Sequence, residues 1–262
     1  MNKINNNSVL FSSSLHALLL AAGLAVTLPG MAQSLVSNAT NAANAGLVAR
    51  NQASKEPQGL RQAAEQGLKS MVAELSRDIA PGTLPDGFPF EINDLSELSR
   101  ATLGMGFEIH SAHPKQILAG GTTLDKMVIG NGIWHFIVLV DANPVALLEM
   151  HKVNGKWEAI GAGAAKLAQD VQMAANQHAG GSAFRFVRIY QATADLLEIR
   201  DAQATAQYVP LIAARKNLRM AAPSATNGLA AAGSNAAVQA GNDVLPALQA
   251  AIRQNLAAQA NR

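Results

Sequence analysis

Residues 133–161 read IWHFIVLVDANPVALLEMHKVNGKWEAIG. Ile133 to Val140 is β-branched, aromatic and almost wholly apolar, which predicts a strand. Asp141-Ala142-Asn143-Pro144 turns the chain, and Val145 to Val153 returns as a second strand. Asn154-Gly155 is the dipeptide that a two-residue type I′ hairpin demands, because both central residues need positive φ. Lys156 to Gly161 supplies a third strand. The reading is a three-stranded antiparallel meander within residues 124–161. Its central strands are apolar on both faces, so both faces should be covered.

Outward from the meander, Leu60, Ala64, Leu68, Met71, Val72, Leu75 and Ile79 recur at spacings of three and four. They form one apolar stripe on a helix from about Glu56 to Ile79, with Pro57 at its first position. Pro81-Gly82 ends it. A loop dense in proline and glycine follows. Asn93 or Asp94 caps a short helix through Leu103, with Glu97 at capping-box distance from Asp94. After the meander, Ala164 to His178 reads as a helix, with Gly180-Gly181 as its stop and His178 where a helix C-terminus favours positive charge. Phe184 to Thr193, Leu196 to Arg200 and Gln207 to Ala213 read as further strands, and Pro210 assigns the last to a sheet edge.

The expected class is α+β: an antiparallel sheet (meander 124–161 plus strands within 184–213) with packed helices. This order is compatible with profilin-, roadblock- or PAS-like domains. That is an analogy of fold, and such folds host many functions.

The flanks differ in composition. Lys3, an apolar run from Leu15 to Thr27, Pro29 and the small residues of Gly30-Met31-Ala32 follow one another as in an export signal cleaved before Gln33. The run is too short to span a bilayer, which takes about 20 residues. Residues 1–32 are therefore expected to be removed, leaving a periplasmic or secreted chain with no integral membrane span. Residues 33–54 read as a disordered leader. Residues 55–219 form the single domain. Residues 220–242 are an uncharged linker of small residues, also disordered. Residues 243–262 carry an amphipathic helix with the stripe Leu245, Leu248, Ile252 and Leu256.

Loss of residues 1–32 removes Lys3 and no acid, which leaves 19 basic and 18 acidic residues. So even a balance predicts no nucleic-acid partner. The chain has no cysteine, which excludes disulfides, thiol nucleophiles and thiolate metal sites. Apolar residues are 49% of the chain but aromatics only 4%, so alanine inflates the apparent core.

Three groups of residues are candidates for chemistry. In a two-residue turn at Asn154-Gly155, His151 faces Glu158 and Lys152 faces Trp157. A four-residue turn at 141–144 pairs Val140 with Val145 and puts Trp134 beside His151. His151 and Glu158 are then a candidate catalytic pair, and Trp134, His151 and Trp157 a candidate ligand-binding face. Glu108, His110 and His113 are candidate metal ligands, but zinc needs three or four convergent groups and the loop before Pro114 does not guarantee that. No metal or cofactor is expected. Gly161-Ala162-Gly163 opens a helix but lacks the spacing of a phosphate loop, and Ser182 has no elbow motif around it. Arg185, Arg188, Arg200, Arg215, Lys216 and Arg219, interspersed with acids, read as a solvated face.

These residues name no reaction. The leading expectation is a non-enzymatic exported domain that binds a protein partner or a small apolar ligand. A hydrolase or isomerase using His151 and Glu158 near Trp134 is the alternative. Self-association through the C-terminal helix, giving a homo-oligomer, is a third.

Overall fold

A computed structural model describes residues 56–79, 84–179, 184–200, 204–220 and 238–260. The expected signal and leader, the expected helix stops Pro81-Gly82 and Gly180-Gly181, Ser182 and residues 221–237 lie outside them. In chain order the elements are α1 (Leu60–Asp78), β1 (Thr102–Ser111), α2 (Pro114–Ala119), α3 (Leu124–Met127), β2 (Ile129–Val140), β3 (Asn143–Val153), β4 (Lys156–Gly163), α4 (Ala165–Ala174), β5 (Arg185–Ile189), β6 (Ala194–Arg200), β7 (Ala206–Pro210), α5 (Ile212–Asn217), β8 (Gln239–Ala240) and α6 (Gly241–Ala260). The fold is α+β. One eight-stranded sheet runs β4-β3-β2-β1-β5-β6-β7-β8. The sheet is mixed rather than purely antiparallel, because β1 and β5 pair in parallel.

The meander forms as its residues predict, and β1 joins its free side. At the first turn only Asp141 and Ala142 are central, with φ of 49° and 68°. Val140 therefore pairs with Asn143, and a bulge at Val145 restores the pairing of Val138 with Ala146. The expected four-residue turn is corrected to two residues plus a bulge. The net difference is one residue, so Trp134 pairs with Met150 and not with His151. A one-residue slip moves a side chain to the opposite face. The Asn154-Gly155 turn keeps its expected register, with His151 opposite Glu158 and Lys152 opposite Trp157.

Three apolar clusters hold the layers. Leu60, Ala64 and Leu68 of α1 pack on Trp134, Phe136, Leu148 and Met150. Val171 and Ala174 of α4 pack on the other face, against Phe107, Ile137, Phe186 and Leu197. Ile117, Leu124, Val244, Leu248 and Ile252 cover Val187, Leu196 and Tyr208 at the far half of the sheet. Each fully buried large aliphatic side chain contributes about 1.5–3 kcal/mol.

Several expected boundaries shift. Gly59, at φ 76°, precedes α1, so Pro57 stands outside the helix rather than at its first position. Asp94 and Glu97 form the expected capping box, but the turn they cap ends at Arg100, and Leu103 belongs to β1. Burial pushes the His178 imidazole below its ordinary pKa, which opposes the positive charge expected there. Pro210 does not mark the edge of the sheet, since β8 pairs with Gln207 and Tyr208 beside it. The C-terminal helix docks on its own sheet through Val244, Leu248, Ala251 and Ile252, while Leu256 is exposed. No helix among the described residues is long and apolar enough to cross a membrane.

Candidate functional site

Strand periodicity puts Glu149 and His151 on one face of β3, and the observed register puts His135 of β2 beside Glu149 on that face. The His151 Nε2 lies 2.6 Å from one Glu149 carboxylate oxygen, and the His135 Nε2 lies 3.4 Å from the other. His135 is buried, with its ring edge-on to Phe107 at 5.8 Å. Glu149 and His151 are part-exposed. The His135 contact, with that of His151, outweighs the cost of burial and lowers the Glu149 pKa to about 2. Glu149 is therefore a fixed anion at neutral pH and a poor general base. Among the described residues no hydroxyl is hydrogen-bonded to either histidine.

Glu149 borders an open cleft of about 1090 Å³. Met71 and Leu75 of α1 with Ile79 just after it form one wall, and Phe88 and Phe90 of the following loop form another. The end of β4, Ile160 to Gly163, closes the third side. A backbone bond from Glu91 N–H to the Val145 carbonyl, 2.9 Å, ties the loop to β3. Asp78, Asp86, Glu91 and Glu149 supply four carboxylates, and no basic side chain lines the cleft among the described residues. Glu91 is engaged by Lys166 Nζ at 2.5 Å and Glu149 by its two histidines, which leaves Asp78 and Asp86 with no ion-pair partner among the described residues.

The residues singled out from sequence end up in different places. Trp134 and Trp157 lie in the cluster under α1, on the face opposite His151. The proposed row of Trp134, His151 and Glu158 is thus not assembled: the bulge at Val145 breaks it. The hydrogen-bonded partner of His151 is Glu149, not Glu158. Period-two spacing could have found the Glu149–His151 pair; only the true register reveals His135.

Of the candidate metal ligands, Glu108 and His110 stay together, Oε2 and Nε2 4.0 Å apart, and His113 turns away. Glu108 accepts from the Gly132 N–H at 3.1 Å. His110 Nδ1 lies 3.2 Å from the Glu108 carbonyl. His113 caps α2, its Nδ1 accepting from the Lys115 N–H. Among the described residues no three His, Asp or Glu side chains converge as a metal site.

The arginines expected on a solvated face are paired instead. Arg185 and Arg200 meet the buried Glu198, Arg188 meets Asp195, and Arg215 lies near the buried Asp170. Such pairs hold the sheet's second half and do not offer an anion site.

No protein-family model, curated protein or solved structure matches this chain.

Proposed function

We propose that this protein is an exported, non-enzymatic binding domain whose ligand carries an apolar body and a positive charge. The cleft between α1, the loop of residues 84–92 and β4 is the binding site. The observation that carries this reading is the pairing of apolar walls with carboxylates that lack lining cations. Apolar contact drives association, and fixed anions orient a cation and reject an anion. The histidines act here as supports. They hold Glu149 ionised and fix where its oxygens point.

The reading is tested with two molecules that share one apolar body, 4-phenylbutylammonium and 4-phenylbutyrate. Each is titrated into the ¹⁵N-labelled protein. The ammonium should shift the amide signals of residues 71–91 and 160–165, and the carboxylate should not. Equal responses to both, or shifts confined to another surface, would overturn the assignment. Mass measurement of the chain recovered from an exporting host tests the other half. Loss of residues 1–32 is expected, and an uncut chain would remove export from the proposal.

A further inference from the structure

β4 is the terminal strand of the sheet, and no described strand lies beyond it. An open edge presents unpaired backbone donors and acceptors, which a second chain can extend by adding a strand. The edge of β4 is not uniform. Met150 pairs with Ala159 but Glu149 pairs with Gly161, so Ile160 is an extra residue. That bulge separates the first half of the edge from the short stretch Gly161-Ala162-Gly163, and this stretch is the part that enters the cleft.

Gly161 stands directly opposite Glu149. A Cβ built on Gly161 or Gly163 meets nothing within 4 Å. At Gly161 the absence of a side chain is thus not required by packing within the fold, whereas Gly163, at φ 158°, is a glycine for its backbone. Bare Gly161 leaves an open lane from the strand edge to the Glu149 carboxylate. Ala162 points the other way, into the cluster beneath α1.

We infer that the cleft binds an extended peptide segment as an added strand on β4, with a lysine or arginine side chain lying across Gly161 to Glu149. This deepens the binding reading above and rests on it. The alternation of a strand matches the two sides of the lane. A residue level with Gly161 faces Glu149, and its neighbours face Met71, Leu75 and Ile79. Charge selects the partner. Asp78, Asp86 and Glu149 favour a basic segment. They also disfavour a second copy of this chain, because pairing β4 with β4 would bring two acidic clefts together.

The test measures fluorescence anisotropy with three labelled octapeptides. One alternates lysine and valine, one alternates glutamate and valine, and the third is the lysine peptide N-methylated on alternate amides. The lysine peptide should bind, and the other two should bind at least tenfold more weakly. Glu149→Gln and Gly161→Val should each weaken the lysine peptide at least tenfold, with an unshifted melting curve for Gly161→Val. Equal binding of the N-methylated peptide would overturn the added strand while leaving the cleft as a site for cations. Concentration-dependent dimers abolished by Gly161→Val would make a second copy the occupant and overturn the peptide. Failure of both the peptides and 4-phenylbutylammonium would remove the cleft reading itself.

Discussion

At the scale of single residues, Glu149 is the best-defined group in the site. Its folded pKa, about 2, lies below the ordinary 4.5. The ionised carboxylate therefore stabilises the fold above about pH 4.5, and this contribution is lost as pH falls toward about 2. The wild-type melting temperature should fall across that window. Glu149→Gln should melt lower at neutral pH and show a shallower slope below pH 4.5. An unchanged slope in thermal melts would place the acid sensitivity on other carboxylates. His135→Ala should shift the Glu149 titration upward in ¹³C NMR of the side chain, because its contact is the main cause of the depression. The sequence made half of this site legible. Glu149 and His151 alternate on one strand, so their shared face is readable. His135 was not readable, because its position depends on Val145 being an extra residue. Nothing in the composition of residues 141–145 separates a four-residue turn from a two-residue turn with a bulge.

At the scale of elements, the stripe on α1 was legible because its leucines recur at helical spacing. Its closest approach was not. Gly67 sits mid-helix against the Ala159 methyl, where an added Cβ would overlap. Helix interiors disfavour glycine, so its presence here is explained by packing rather than propensity. Gly67→Val should lift α1 from β4 and cost about 1–3 kcal/mol in chemical denaturation. It should also weaken ligand binding, since α1 is one wall of the cleft. The first half of β1, which starts at Thr102, escaped the reading for a related reason. Gly104 and Gly106 depress strand propensity. A Cβ on Gly106 would overlap the Phe136 ring, and the Arg61 guanidinium lies 5.0 Å from that ring's centre. Gly106 makes room for that ring and for the Glu56 carboxylate, and Gly104 for Leu139, a tertiary demand with no local signature. At the other end of the chain, α6 was legible as amphipathic, with Leu248 and Ile252 fully buried and Leu245 packed against their cluster, but the stripe is wider than expected and ends before Leu256. Val244 and Ala251 are buried and Leu256 is not.

At the scale of the whole molecule, the far half of the sheet is held by its covering helices and by ion pairs. Leu248 of α6 is fully buried among Ile117, Leu124 and Tyr208. Leu248→Ala should cost about 2–5 kcal/mol in equilibrium unfolding. Self-association through α6 predicts instead that the same substitution changes the oligomeric state and spares stability, so sedimentation and melting of one variant separate the two. The class α+β was legible because the meander and the helical stripes have different periods. The way its halves join was not, because a parallel pair leaves no turn signal between its partners. That junction carries a kinetic consequence. The first meander closes through hairpins, whereas β1 meets β5 across 77 residues, as in the bond from Ser111 Oγ to the Arg188 carbonyl. Contacts so distant along the chain form late, because loop closure must precede them. Until they form, β1 is a bare edge, and Phe107 and Ile109 lack their cover from Phe186. A fragment ending at residue 179 should therefore expose that edge and aggregate at concentrations where the full chain stays dispersed, as light scattering would show.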